Sequence, residues 1–199
     1  MEELVLVTPS KKYEDQAINY IREFYQYNSN INGTGGLNRY FNNYAFWLLK
    51  LEADRKTVFS QRKVPAETFF LVRTTDDKIV GMINIRLALN KNLKKVGGHI
   101  GYSIRPTERR KGYAKKNLYL GLEFLKEHGI IEAQVDCIDT NIGSKKTIEA
   151  LGGKQFKEEK IFEDGKEERV LNFKIDIEKS LRENKEKYKE SSKKVKIKK

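Results

Sequence analysis

Apolar and polar positions change period several times along the chain, and each change marks an element. Leu4 to Val7 is a short β-rich run stopped by Thr8-Pro9-Ser10. Ala17, Ile21, Phe24 and Tyr25 then recur at helical spacing, and Trp47 and Leu51, four apart, mark a second amphipathic helix around Tyr44 to Lys56. From Thr68 the pattern turns strand-like. Thr68 to Arg73 is β-branched and aromatic, Thr75 to Lys78 is a turn, and Ile79, Gly81, Ile83, Ile85 and Leu87 alternate with Val80, Met82, Asn84 and Arg86, which predicts an antiparallel hairpin. Beyond a polar loop, Asn90 to Gly98, another strand runs from His99 to Ile104 and stops at Arg105-Pro106. A helix with Ala114, Leu118, Leu122 and Leu125 on one face closes at Gly129, and Glu132 to Ile138 alternates again. Asn141 is placed to cap a short helix ending at Leu151, and two strands about Lys154 to Phe162 and Glu167 to Ile175 join through an Asp164-Gly165 turn.

This order predicts a mixed α/β fold: a largely antiparallel central sheet covered by helices in three layers. One domain is expected over residues 1–180. The N-terminal helices and loop, 11–60, form one region of it and 67–175 a core; from Glu178 a frayed helix is expected to pass into a basic, disordered tail over 181–199. The loop Asn28 to Asn43, rich in Asn and Gly, is long for a compact domain, which suits a functional segment. The longest apolar run is six residues, Tyr44 to Leu49, too short to span a bilayer. An acidic N-terminus without an apolar stretch and a single Cys137 predict a cytoplasmic protein with no disulfide. The formal net charge is +12, and residues 181–199 hold nine basic against three acidic residues.

The strongest chemical signal is Ile104 to Ala114, a basic turn between a strand and a helix. Such a turn presents unpaired N–H groups at the positive end of a helix dipole, and Gly112 lets an anion approach the main chain. Arg105 to Lys116 carries six basic residues against one Glu, so a phosphate or pyrophosphate is the expected guest. His99 and His128, with Cys137, do not form a metal cluster of ordinary spacing, so no metal is expected. His128, at a helix C-terminus, is given no catalytic role.

Arg109-x-x-Gly112-x-Ala114 resembles the acetyl-CoA signature of the GNAT family of N-acetyltransferases, and the element order from Thr68 to Ile175 matches that family's core. The runs Gly98 to Pro106 and Ile142 to Gly153 are similar to a bacterial acetyltransferase group without an assigned substrate. The resemblance implies a parallel strand pair, His99 to Ile104 and Glu132 to Ile138, that splays apart. Ser103 and Ile104 would pair with a pantetheine arm; Arg109, Arg110, Lys111, Gly112, Tyr113 and Ala114 would hold the pyrophosphate; and Asn141 and Ser144 would also contact the coenzyme. An amine would attack the thioester of acetyl-CoA directly, with residues 11–60 shaping the acceptor pocket. His99 is the candidate base, with a histidine bonded to the neighbouring strand as the structural alternative. Many relatives place a tyrosine acid where this chain has Ile148, so water or another residue, such as Tyr102 or Tyr113, is left for that role. Asp136 and Glu149 are weaker bases, and Cys137 reads as a buried thiol.

Two other readings stand beside the transferase: a catalytically silent acyl-CoA-binding module, and a nucleic-acid-associated protein acting through its basic tail. The tail's interleaved Lys and Glu argue against the latter. The acceptor amine is open, as is a homodimer.

Overall fold

The computed structural model describes residues 3–163 and 165–188. Seven strands form one sheet: β1 (Leu4–Val7), β2 (Ala66–Arg73), β3 (Lys78–Arg86), β4 (Ile100–Ile104), β5 (Glu132–Ile138), β6 (Lys154–Glu163) and β7 (Lys166–Asp176), in the order β1-β2-β3-β4-β5-β7-β6. Every neighbouring pair is antiparallel except β4 with β5. The helices are α1 (Glu14–Gln26), α2 (Tyr44–Arg55), α3 (Lys91–Lys95), α4 (Tyr113–Glu127), α5 (Ile142–Ala150) and α6 (Ile177–Tyr188). Among the described residues no helix is long and apolar enough to cross a membrane.

Two cores flank the sheet, as strand alternation requires when both faces are covered. On one face, α1 buries Ala17, Tyr20, Ile21 and Phe24, spaced i, i+3, i+4 and i+7, against Phe70, Val72, Ile79 and Met82; α2 adds Tyr44, Trp47 and Leu51. On the other, α4 lays Leu118, Leu122 and Leu125 on Ile83, Ile85, Ile100, Val135 and Phe173.

Two elements depart from the sequence reading. The loop from Asn90 contains α3, capped by the Asn90 side chain accepting from Leu93 N–H; five residues are too few to leave a periodic signal. Residues 181–188 are helix rather than tail: α6 packs Leu181 and Tyr188 on the α4-side core, with Ser180 and Asn184 buried. Lys116 Nζ donates to the Tyr188 carbonyl (2.7 Å) and lies over the Tyr119 and Tyr188 rings. The cationic segment 191–199 lies outside the described residues.

Candidate active site

A parallel pair that opens as it runs dominates the middle of the sheet. β4 and β5 share one registered pair, Ile100 with Val135, reinforced by His99 N–H donating to the Gln134 carbonyl (2.7 Å). Beyond it, toward Ile104 and Ile138, the strands have no further pairing. Arg105 N–H bonds the Val80 carbonyl and Arg86 N–H the His99 carbonyl. Alternation along an antiparallel ladder therefore turns Gly101 and Ser103 toward β3, and Tyr102 and Ile104 toward the opening. The fork thus presents the main-chain groups of Tyr102 and Ile104, which belong to no β5 ladder.

At the fork's mouth β4 enters the basic turn. Pro106 to Glu108 form one 3-10 turn, Arg109 is extended, and Arg110 (φ 67°) and Gly112 (φ 83°) are left-handed on either side of Lys111. α4 then begins at Gly112 without a side-chain cap, so the first N–H groups of its 15-residue length face outward. A Cβ at Gly112 would meet no atom within 4 Å, so the approach to those groups is open.

The turn is anchored by two acids. Glu108 is buried and takes hydrogen bonds from Lys78 Nζ (2.6 Å), Lys111 Nζ (2.7 Å) and Arg73 Nη1 (2.9 Å). Burial alone would raise its carboxyl, but those bonds outweigh it and push it down to about 2. Glu23, on α1, accepts from Arg105 Nη1 (2.9 Å) and from the Thr107 amide and hydroxyl (2.9 and 2.8 Å).

The loop after α1 lies directly on β4. Ser103 Oγ donates to the Asn32 carbonyl (2.5 Å) and bonds Tyr20 Oη (3.0 Å), while a Cβ on Gly33 (φ 69°) would fall 2.3 Å from the Gly101 carbonyl oxygen. Arg109 ties loop to fork: its Nη2 donates to Ser29 Oγ (2.7 Å) and its Nε to the Ile104 carbonyl (3.2 Å).

On the α4 side of the fork, Tyr102 Oη bonds Ser144 Oγ (3.0 Å) at the start of α5, and burial pushes its phenol well above its ordinary value. Asn141 Oδ1 caps that helix by accepting from Ser144 N–H (3.0 Å). At the closed end, His99 Nδ1 accepts the Gln134 N–H (3.0 Å). Burial first, and the Arg86 charge second, push this imidazole down to about 4. A neutral ring that accepts at Nδ1 carries its proton on Nε2, so His99 presents an N–H and no lone pair.

An acetyltransferase (GNAT) family model matches residues 22–152, a span that contains the fork, the capless helix and the loop on β4. The chain belongs to the GNAT acetyltransferase family. No sequence among the curated proteins compared matches it. Solved structures share its fold: ribosomal-protein-S5-alanine acetyltransferase from Vibrio fischeri, at TM-score 0.69 and 18% identity, over 88% of this chain and 94% of that one. Mutant forms of spermidine/spermine N-acetyltransferase from Vibrio cholerae give 0.66 and 14%, over 92% and 98%. A GNAT-family acetyltransferase from Bacillus anthracis gives 0.60 and 14%, over 89% and 96%.

In this acetyltransferase the residues expected at the site divide by what they are bonded to. Ile104 and Tyr102 face the fork, whereas Ser103 turns its main chain to β3 and its hydroxyl to Asn32 and Tyr20, contrary to the expected pantetheine contact. Arg110, Lys111, Gly112 and Ala114 gather at the start of α4, but Tyr113 is buried with Arg73 Nη1 donating to its hydroxyl (3.2 Å). The six basic residues are not all available to an anion. Arg105, Lys111 and Lys116 serve Glu23, Glu108 and α6, and Arg109 is bonded to Ser29 and the Ile104 carbonyl, which leaves Arg110 and Lys115 as exposed cations without an ion pair among the described residues. His99 is bonded through Nδ1 to the neighbouring strand. Asp136 offers no easy replacement, because its carboxylate accepts from Gly97 N–H (2.8 Å) and Gln134 Nε2 (3.1 Å). Cys137 is a buried thiol that burial pushes up to about 11. Glu23, Glu108 and the Asn32-Gly33 contact escaped the sequence reading; Glu108, one acid within a basic run, was the signal for the first anchor.

Proposed function

We propose that this acetyltransferase takes acetyl-CoA as donor and passes the acetyl group to a primary amine by direct attack on the thioester. The observation that carries this reading is the fork whose Tyr102 and Ile104 main-chain groups belong to no β5 ladder, which leads straight to a capless helix N-terminus behind an open glycine. The donor supplies an activated acyl carbon. Tyr102 and Ile104 would hold the pantetheine arm as a strand holds its neighbour, and the amides from Arg110 to Ala114 would hold the pyrophosphate with Arg110 and Lys115 nearby.

At the reacting centre the new C–N bond forms as the C–S bond breaks. The Tyr102 hydroxyl, kept protonated by burial, serves as a hydrogen-bond donor to the departing sulfur in place of the side chain missing at Ile148. With His99 presenting an N–H, the ammonium proton passes to water, the amine attacks as its neutral form, and the proton it sheds as the amide forms goes to the departing thiolate, directly or through water, to give free thiol. Rate should therefore climb with pH toward the pKa of the acceptor amine, without an enzyme inflection near 6.5.

Steady release of free thiol from acetyl-CoA, dependent on added amine and accompanied by an acetylated product, tests this. Tight coenzyme A binding with no such release across primary amines would leave a binding module instead.

A further inference from the structure

Tyr102 brings a side chain to the fork as well as main-chain groups. The parallel register pairs Ile100 with Val135, so two residues further along each strand Tyr102 and Cys137 stand level with one another where the strands have parted. Both side chains lie on the α4 side, Cys137 within that core and Tyr102 packed against it. The Tyr102 ring reaches from β4 to α5 and meets Ser144 there, Oη to Oγ 3.0 Å. The Ser144 main chain is fixed in the first turn of that helix, because Asn141 Oδ1 accepts its N–H (3.0 Å). One phenol thus links the two sides of the open fork, and its partner is a hydroxyl held in place by a helix cap.

Counting hydrogens gives this link a direction. Thr147, on the same helix, donates its hydroxyl to the Gly143 carbonyl (2.8 Å), so toward the phenol beside it Thr147 can only accept. Ser144 Oγ has Tyr102 Oη as its hydroxyl partner, with the Cys137 thiol as a further neighbour. If the phenol donated to Ser144, the serine hydrogen would meet no other oxygen among the described residues. With Ser144 donating to Tyr102, and Tyr102 to Thr147, every hydroxyl hydrogen in the row is used. The phenol hydrogen then points away from Ser144. A sulfur leaving with negative charge accepts more strongly than the neutral Thr147 hydroxyl, and takes that hydrogen by rotation about the phenol C–O bond while the Ser144 bond stays in place.

We infer that Ser144 is a positioning residue for the transfer: its hydroxyl donates to Tyr102 Oη and so frees the phenol hydrogen for the departing sulfur. This rests on the reading of Tyr102 as that donor and adds the residue that orients it. The C–S bond breaks onto a sulfur that meets the phenol O–H, and the proton that completes the thiol is the one shed by the amine, so the row of hydroxyls neither gains nor loses a proton.

The test is a double-mutant cycle in the full chain: parent, Ser144→Ala, Tyr102→Phe and the two together. Each is assayed for thiol release from acetyl-CoA with a panel of primary amines that includes ethanolamine, L-lysine and spermidine, and the thermal shift produced by coenzyme A is read alongside. Ser144→Ala is expected to lower kcat by on the order of tenfold, with KM for acetyl-CoA and the coenzyme A shift close to those of the parent. In the Tyr102→Phe background the same substitution should cost less than about a further twofold, because there is no phenol left to orient. The same loss in both backgrounds would overturn the inference, since Ser144 would then act independently of Tyr102. A raised KM with a smaller coenzyme A shift would overturn it in favour of a direct contact with the coenzyme, and an unchanged kcat in Ser144→Ala would leave the serine no part in the reaction. Parent-like kcat in Tyr102→Phe would remove Tyr102 as donor and this inference with it, while the transferase reading would still stand on the thiol released. A parent that releases no thiol with any amine would remove that reading as well.

Discussion

His99 and Tyr102 lie three positions apart on one strand path, and their hydrogen bonds assign them opposite chemistry. His99 accepts from Gln134 N–H, and a proton on Nδ1 would break that bond. Its folded pKa, about 4, lies below the usual histidine value. The unfolded chain therefore binds the extra proton first, and stability falls as pH drops from about 6.5 to about 4. His99→Asn, whose Oδ1 can take the same amide, should flatten the melting temperature over that window and lower kcat/KM by less than about tenfold. A loss of ~10²-fold or more would restore His99 as the base. Tyr102→Phe keeps the ring and removes the hydroxyl that bonds Ser144, so kcat should fall by roughly 10²-fold with coenzyme A affinity little changed. Unchanged kcat would remove Tyr102 from the reaction. The residue types at this site were legible in the sequence, but their roles were not. Which nitrogen of His99 is occupied, and which way Ser103 faces, depend on neighbours 35 and 71 positions away.

At the level of elements, the basic turn is held by acids rather than by its own residues. Glu108 gathers Arg73 from β2, Lys78 from β3 and Lys111 from the turn, so the loop is fixed to two strands through one buried carboxylate. Glu108→Gln leaves those cations without their counter-charge. It should destabilise the protein by about 2 kcal/mol in denaturant unfolding and weaken coenzyme A binding together with it. Stability within about 0.5 kcal/mol of the parent would show that the turn stands without this anchor. The carboxyl is held down to about 2, so its contribution is lost only as pH falls from about 4.5 to about 2, a range that begins at the acid end of the His99 window. The helix period was legible where one face is buried, as at α1, whereas β3, buried on both faces, was legible from its aliphatic run and the turn before it. α3 was not, because one short helical turn leaves no period, and α6 was read as a frayed helix giving way to tail because its charged residues outnumber the few it buries.

For the whole molecule, the sheet order brings together parts distant in sequence: the first loop lies on β4, α1 caps the basic turn, and α6 supports α4. The +12 charge acquires a different meaning in this setting. Four of the six cations between Arg105 and Lys116 are held by other parts of the fold, so binding of an anion depends chiefly on main-chain amides, an open glycine and the two remaining exposed cations. Titration calorimetry of coenzyme A against the parent and Gly112→Glu tests that claim most directly. The Gly112 side chain position is open, so the variant should fold with only the roughly 1 kcal/mol strain of a left-handed non-glycine residue. The account predicts binding to the parent and none to the variant at the same concentrations; equal binding to both, or no binding to the parent, would contradict it.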